Sequence, residues 1–242
     1  RLIQEGAPRG APSFREVLMK RLKQNQDVSY CHYDDRLIFL DTSKDRYFQI
    51  NQSLERHFLE FVASGETDAA SIIRLMELGI LVYGDTGTQS PTQLPRPARS
   101  ALEQREARTQ LTARLTHDVF ASLIAMQWRL KHWRLKKVLA LLAYRENEEA
   151  VTSEQEPILQ THEAIAASIA FQRVRPFVPV APCCLVDSLA LAAFLTKRGI
   201  RTRLVFAVAC DPFSAHAWTQ YDDVVLNDTT GNVLNYVPIR VV

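Results

Sequence analysis

The chain has 242 residues, 47% of them hydrophobic and 23% charged, an ordinary globular composition with length enough for one large domain or two small ones. Its 29 Lys and Arg nearly balance 27 Asp and Glu, so whole-protein charge gives no case for nucleic-acid binding. No run approaches the roughly 20 apolar residues that span a bilayer, and the four cysteines are too few for a disulfide scaffold, so a cytoplasmic, reducing compartment is expected.

Residues 1–26 are expected to form a flexible or helical extension. Gly6, Pro8, Gly10 and Pro12 open it without the apolar core of a signal peptide, and 14–24 (FREVLMKRLKQ) has the pattern of a short amphipathic helix. Three strand-like runs follow: 28–33 (VSYCHY), 36–41 (RLIFLD) and 45–50 (DRYFQI). Asp34-Asp35 and Thr42-Ser43-Lys44 separate them with turn chemistry, so an antiparallel meander is expected. Asn51 or Ser53 then caps a helix to about Ala63, with Leu54, Phe58 and Phe61 on one stripe and Gly65 ending it. Thr67 or Asp68 opens a second helix containing Ile72, Ile73, Leu75, Met76 and Leu78; Gly79 stops it, and 80–83 is extended. Residues 27–84 thus predict a small winged-helix-like domain, a three-stranded antiparallel sheet plus helices. Residues 85–99, with Gly87, Pro91, Pro95 and Pro97, predict a linker to a second domain over 100–242.

A long helix is expected from about 101 to 144, with Leu123, Met126, Leu130 and Trp133 at helical steps. Arg129, Lys131, Arg134, Lys136 and Lys137 surround that stripe. The plain reading is a core helix with a solvated back; a basic amphipathic helix also suits a membrane surface or a partner. Residues 145–157 are polar and acidic and predict a loop, 158–173 a helix, and Pro176, Pro179 and Pro182 a break. Residues 184–198 predict a helix ending at Lys197-Arg198-Gly199; 203–209, 215–221 and 224–227 predict strands, with Asp222-Asp223 turning between the last two.

Three polar residues stand in this last stretch. Cys184 opens a helix, where unpaired N–H groups and the helix dipole favour a thiolate. His216 lies in a predicted strand, and Asp228 ends the next one. Paired strands can set His216 beside Asp228, and a helix packed on them can bring up Cys184: nucleophile, base and orienter. Each also has a plain alternative as a small buried hydrophobe, a structural histidine or a turn residue. Cys183 competes for the nucleophile's role, since neighbours at a helix start point about 100° apart and only one can face the imidazole. There is no CxxC, no His pair at metal spacing and no glycine-rich phosphate loop, so neither metal nor nucleotide cofactor is expected.

The segments CLVDSLALAAFLTKRGI (184–200), RLVFAVACDPFSAHAWTQ (203–220) and VVLND (224–228) resemble the lasso-peptide biosynthesis leader peptidases, transglutaminase-like, papain-like cysteine proteases. The matching features are Cys184-Leu185, Pro212-Phe213 with His216 and Trp218, and Asn227-Asp228. The resemblance selects Cys184 over Cys183, and it departs at Asp187, where the family often has Arg or Lys. Residues 27–84 are similar to the peptide-recognition domain of ribosomal-peptide maturation enzymes. The implied fold is α+β, and the implied function is removal of the leader from a lasso precursor peptide by Cys184, His216 and Asp228. The core would pass to an asparagine-synthetase-like cyclase, with room for an export transporter among the partners. The leader would add to the 45–50 strand through Tyr47, Phe48 and Gln49, against a helix wall of Ile73, Arg74 and Glu77; alternatively Tyr47, Phe48 and Ile50 fill the small domain's core. An amide-forming acyl transferase and a non-catalytic scaffold are the rival readings.

Overall fold

The computed structural model describes residues 22–84, 94–104, 111–149 and 157–242. The first part contains β1 (Leu22–Gln24), β2 (Val28–Tyr33), β3 (Arg36–Asp41), β4 (Arg46–Phe48), α1 (Gln52–Ser64), α2 (Ala69–Glu77) and β5 (Leu81–Tyr83). After it come β6 (Arg99–Ser100), α3 (Ala113–His132), α4 (Leu135–Glu149), α5 (Pro157–Val174) and a 3-10 turn at Arg175–Phe177. The last part holds α6 (Cys184–Thr196), β7 (Arg203–Cys210), β8 (Phe213–Tyr221), β9 (Val224–Val225), α7 (Thr230–Val233) and β10 (Val237–Val241). Contacts group the described chain into two units, 22–28 with 50–84 and 29–49 with 94–242.

In the smaller unit, Asn51 caps α1 by accepting the Leu54 N–H at 2.8 Å. Gly65, at φ +78°, ends the helix in a left-handed turn that a side chain would strain. Leu54, Phe58 and Phe61 are its buried stripe. Asp68 caps α2 through the Ser71 N–H, and Ile72 and Leu75 are buried. β5 pairs antiparallel with β1, Leu22 opposite Tyr83. Residues 22–24 are therefore strand, where an extension without strands was expected over 1–26. Their partner lies almost sixty residues away and leaves no mark on local periodicity. The rest of the expected helix at 14–24, and most of the 85–99 linker, lie outside the described residues.

The larger unit has two sheets. β2, β3 and β4 form one in that order, with Leu40 opposite Tyr47 across the antiparallel β3–β4 pair. The other runs β10-β7-β8-β9-β6, with the β7–β8 hairpin at its centre and Ala207 opposite His216. α6 is apolar all round and correspondingly buried: Leu189, Ala190, Leu191 and Phe194 are fully inaccessible. It packs against α3 and β8. Ile38 and Leu40 of β3 join the same core as Leu123, Met126 and Phe206, each full burial stabilising by about 1.5–3 kcal/mol. A second cluster of Val205, Ala207, Trp218, Val225 and Val233 covers other sheet residues.

The single long helix expected over 101–144 is broken. Arg99–Ser100 is a strand parallel to β9, and α3 begins only at Ala113, capped by Thr112. The chain turns at Trp133, which is extended (φ −122°, ψ 148°), and Asp45 restarts the helix by accepting the Leu135 N–H at 3.0 Å. That cap comes from the β3–β4 turn, so no local pattern announces it. α4 runs to Glu149 into the segment read as loop; 150–156 lie outside the described residues. β10 was not expected: Pro238 argues against an interior strand, and the structure places β10 at a sheet edge, where proline is tolerated.

Candidate active site

The site is assembled from the start of α6, the body of β8 and the bend that follows β9, with Asp228 three residues past that strand, which is shorter than the one expected over 224–227. Cys184 is the first residue of α6 and solvent-accessible; Cys183, its N-cap, makes no side-chain cap. The chain reaches α6 through the 3-10 turn at Arg175–Phe177 and an irregular stretch over 178–183, and Arg175 pins it. Its Nε–H donates to Asp187 Oδ1 at 2.7 Å, and its other nitrogens donate to the Val180 and Ala181 carbonyls at 3.0 and 3.2 Å. Asp187 thus holds a buried guanidinium that anchors the chain just ahead of Cys184.

His216 projects from β8. Its Nε2 lies 2.5 Å from Asp228 Oδ2, which leaves Nδ1 for the Cys184 thiol, the ring's other hydrogen-bond partner. Asp228 also accepts from Asn232 Nδ2 at 2.8 Å and from the Thr229 N–H at 2.6 Å. Its own carbonyl accepts from Ser100 Oγ at 2.6 Å, tying the short β6 to the site. The imidazole has the stacked Trp218 ring at 6.0 Å and the tilted Tyr236 ring at 5.0 Å as aromatic neighbours.

These contacts set the charges. The hydrogen bond to His216 holds the Cys184 thiol below its ordinary value, with help from the Ala217 and Leu185 N–H groups and against the cost of burial. The His216 imidazole is pushed up to about 10, first by Asp228 and then by Cys184. Burial pushes the Asp228 carboxyl up, but hydrogen bonds from His216, Asn232 and Thr229 outweigh it and hold the group low. The arrangement favours a thiolate–imidazolium pair backed by a carboxylate.

Behind the pair, Ser188 locks helix to strands. Its hydroxyl lies 2.6 Å from the Cys184 carbonyl and 2.9 Å from that of Ala217, and accepts from Asn227 Nδ2 at 2.8 Å. Asn227 in turn accepts the Thr219 N–H, and Thr219 Oγ1 donates to the Ser188 carbonyl. Ser188, Asn232, Arg175 and Tyr236 were not singled out from the sequence, because no motif or spacing marks them.

A cavity of about 300 Å³ opens at the sulfur, walled by Cys184, His216, Tyr47, Leu130, Trp133 and Leu135. Tyr47 turns into it from β4, its ring set edge-on to Phe213. Burial, and then the nearby Cys184, push its phenol up to about 12, so it stays neutral. Of the other leader-binding candidates, Phe48 stacks on Phe39 at 5.2 Å on the same edge strand and Gln49 is exposed. Ile73 is exposed on α2 in the smaller unit, where Arg74 and Glu77 pair with each other at 2.7 Å. Among the described residues no group of three His, Cys, Asp or Glu side chains could hold a metal ion, and no helix is long and apolar enough to cross a membrane.

A thiol on a helix start beside a strand imidazole and a carboxylate from the bend after the next strand is the arrangement of cysteine acyl-transfer enzymes. Residues 122–241 match the family model described as Transglutaminase-like superfamily, and this stretch is a transglutaminase-like domain. The fold is typical of cysteine proteases and acyltransferases. No curated protein and no solved structure matches the chain.

Proposed function

We propose that this protein is a cysteine peptidase that binds the leader of a ribosomally made lasso precursor peptide and cuts it off, releasing the core to an asparagine-synthetase-like cyclase in the cytoplasm. The observation that carries the reading is the hydrogen-bonded run Cys184–His216–Asp228 opening on a cavity. Cys184 thiolate attacks the scissile carbonyl carbon, forming the C–S bond. The oxyanion is stabilised by the Cys184 backbone N–H at the helix start. His216 gives its proton to the departing amine as the C–N bond breaks. Water then attacks the thioester, giving one proton to His216 as the C–S bond breaks; the thiolate is restored and the carboxylic acid product ionises to solvent. Asp228 keeps Nε2–H engaged, so that Nδ1 faces the sulfur.

The open edge of β4 suits strand addition by the leader, and Tyr47 on that strand reaches the cavity at the thiol. Incubation with the precursor encoded nearby, read by mass, tests the proposal. The wild type should release leader and core, while Cys184→Ala should bind the precursor without cutting it. Cutting by the variant, or an intact precursor with the wild type, would overturn the reading. The transglutaminase-like fold also houses acyltransferases, so the same assay with added amine separates hydrolysis from amide formation.

A further inference from the structure

Trp133 lines two cavities. One holds the Cys184 sulfur; the other, about 480 Å³, is walled by Ser43, His132, Arg134, Lys136 and Lys137. Residues 129–137 carry five Lys and Arg and no Asp or Glu. Lys137 sets its ammonium 4.3 Å from the centre of the Trp133 ring, and the Arg129 guanidinium lies 6.0 Å from it. Arg134 donates to the Ser43 carbonyl at 2.5 Å and fixes the pocket's rim. The two carboxylates of the adjoining turn are engaged elsewhere: Asp45 caps Leu135, and buried Asp41 accepts from Ser43 and pairs with Lys44. Arg129, Lys131 and His132 suit the negative end of α3. Lys136 and Lys137 stand instead in the first turn of α4, where a helix disfavours cations, so the helix itself does not account for them.

We infer that this pocket receives an acidic side chain of the peptide substrate, a few residues from the bond cut at Cys184. The inference rests on the peptidase reading for what the occupant is, and adds its charge. An extended peptide crossing Trp133 would set one residue against the apolar cavity and a neighbouring carboxylate among the lysines. Lys136 and Lys137 are exposed, so cation and carboxylate would meet at the surface, where such a pair gives modest selectivity that salt weakens.

The test uses the Cys184→Ala chain and a synthetic peptide of Leu, Gly and Ser carrying two glutamates, beside the same peptide with glutamines. Binding is read by tryptophan fluorescence, so it is independent of turnover. The glutamate peptide should bind at least fivefold tighter at low salt. Raised salt, or Lys137→Glu, should reduce that preference to less than twofold. Equal affinities, or no binding of either peptide at millimolar concentration, would overturn the inference. So would equal affinities accompanied by partition onto phosphatidylserine vesicles, which would assign the patch to a lipid surface. Failure of the peptidase reading shows separately, as absence of cleavage by the wild type.

Discussion

At His216, two neighbours pull in one direction. Asp228 and Cys184 both favour the imidazolium, which is why its value reaches about 10 while the thiol falls. Alkylation of Cys184 by iodoacetamide should therefore already be fast at neutral pH, and cleavage should decline as pH passes about 10, where His216 loses its proton. Asp228→Asn should pull that alkaline limit downward. His216→Ala should lower kcat by about 10²–10⁴-fold, the usual worth of a positioned base. Asp228→Ala should cost less, because the carboxylate orients without touching the substrate; the reverse order of losses would contradict these roles. The same shifts affect stability with opposite signs. His216, raised when folded, contributes fully below its ordinary 6.5, and that contribution is lost as pH rises through about 10. Asp228, held low, contributes above its ordinary 3.8 and loses the contribution as pH falls below that.

Between elements, polar groups do what apolar packing cannot: they fix register. α6 is so uniformly apolar that its burial alone does not specify its position along β8. Ser188 supplies that, joined to the Ala217 carbonyl of β8 and to Asn227. Ser188→Ala should lower the unfolding free energy by about 1 kcal/mol, since it leaves the part-buried Asn227 amide without this acceptor; a denaturant titration measures it. Arg175→Met should cost about 3 kcal/mol by leaving Asp187 without its buried partner. It should also slow cleavage at temperatures where the fold persists, because the segment before Cys184 loses its anchor. Unchanged stability and rate together would show that Arg175 holds nothing.

On the scale of the whole molecule, β4 and the Cys184 thiol lie within one contact unit, while α1 and α2 belong to another. If the leader engages β4, tethering raises the local concentration of the scissile bond. A substrate cut down to its cleavage-proximal residues should then lose rate by tenfold or more, measured as kcat/KM; equal rates for short and full-length precursors would contradict leader binding by this chain. The meander was legible from its turn residues, and the starts of the helices that follow to within a pair of candidates each, of which the structure uses Asn51 and Asp68, because capping acts within a few residues. β1 and the break at Trp133 were not legible, since a distant strand and a distant aspartate create them.

The sequence by itself determined which atoms could do chemistry: a sulfur at a helix start, an imidazole within a strand, a carboxylate at a strand end. Local rules reach that far because capping, alternation and turn chemistry act over a few residues. Tertiary structure alone decided that Asp187 clamps Arg175, that Tyr47 and Trp133 wall the cavity at the sulfur, and that a second, cationic pocket shares the same indole. Those contacts join residues distant along the chain, and only the packing of one hydrophobic core chooses which of them meet.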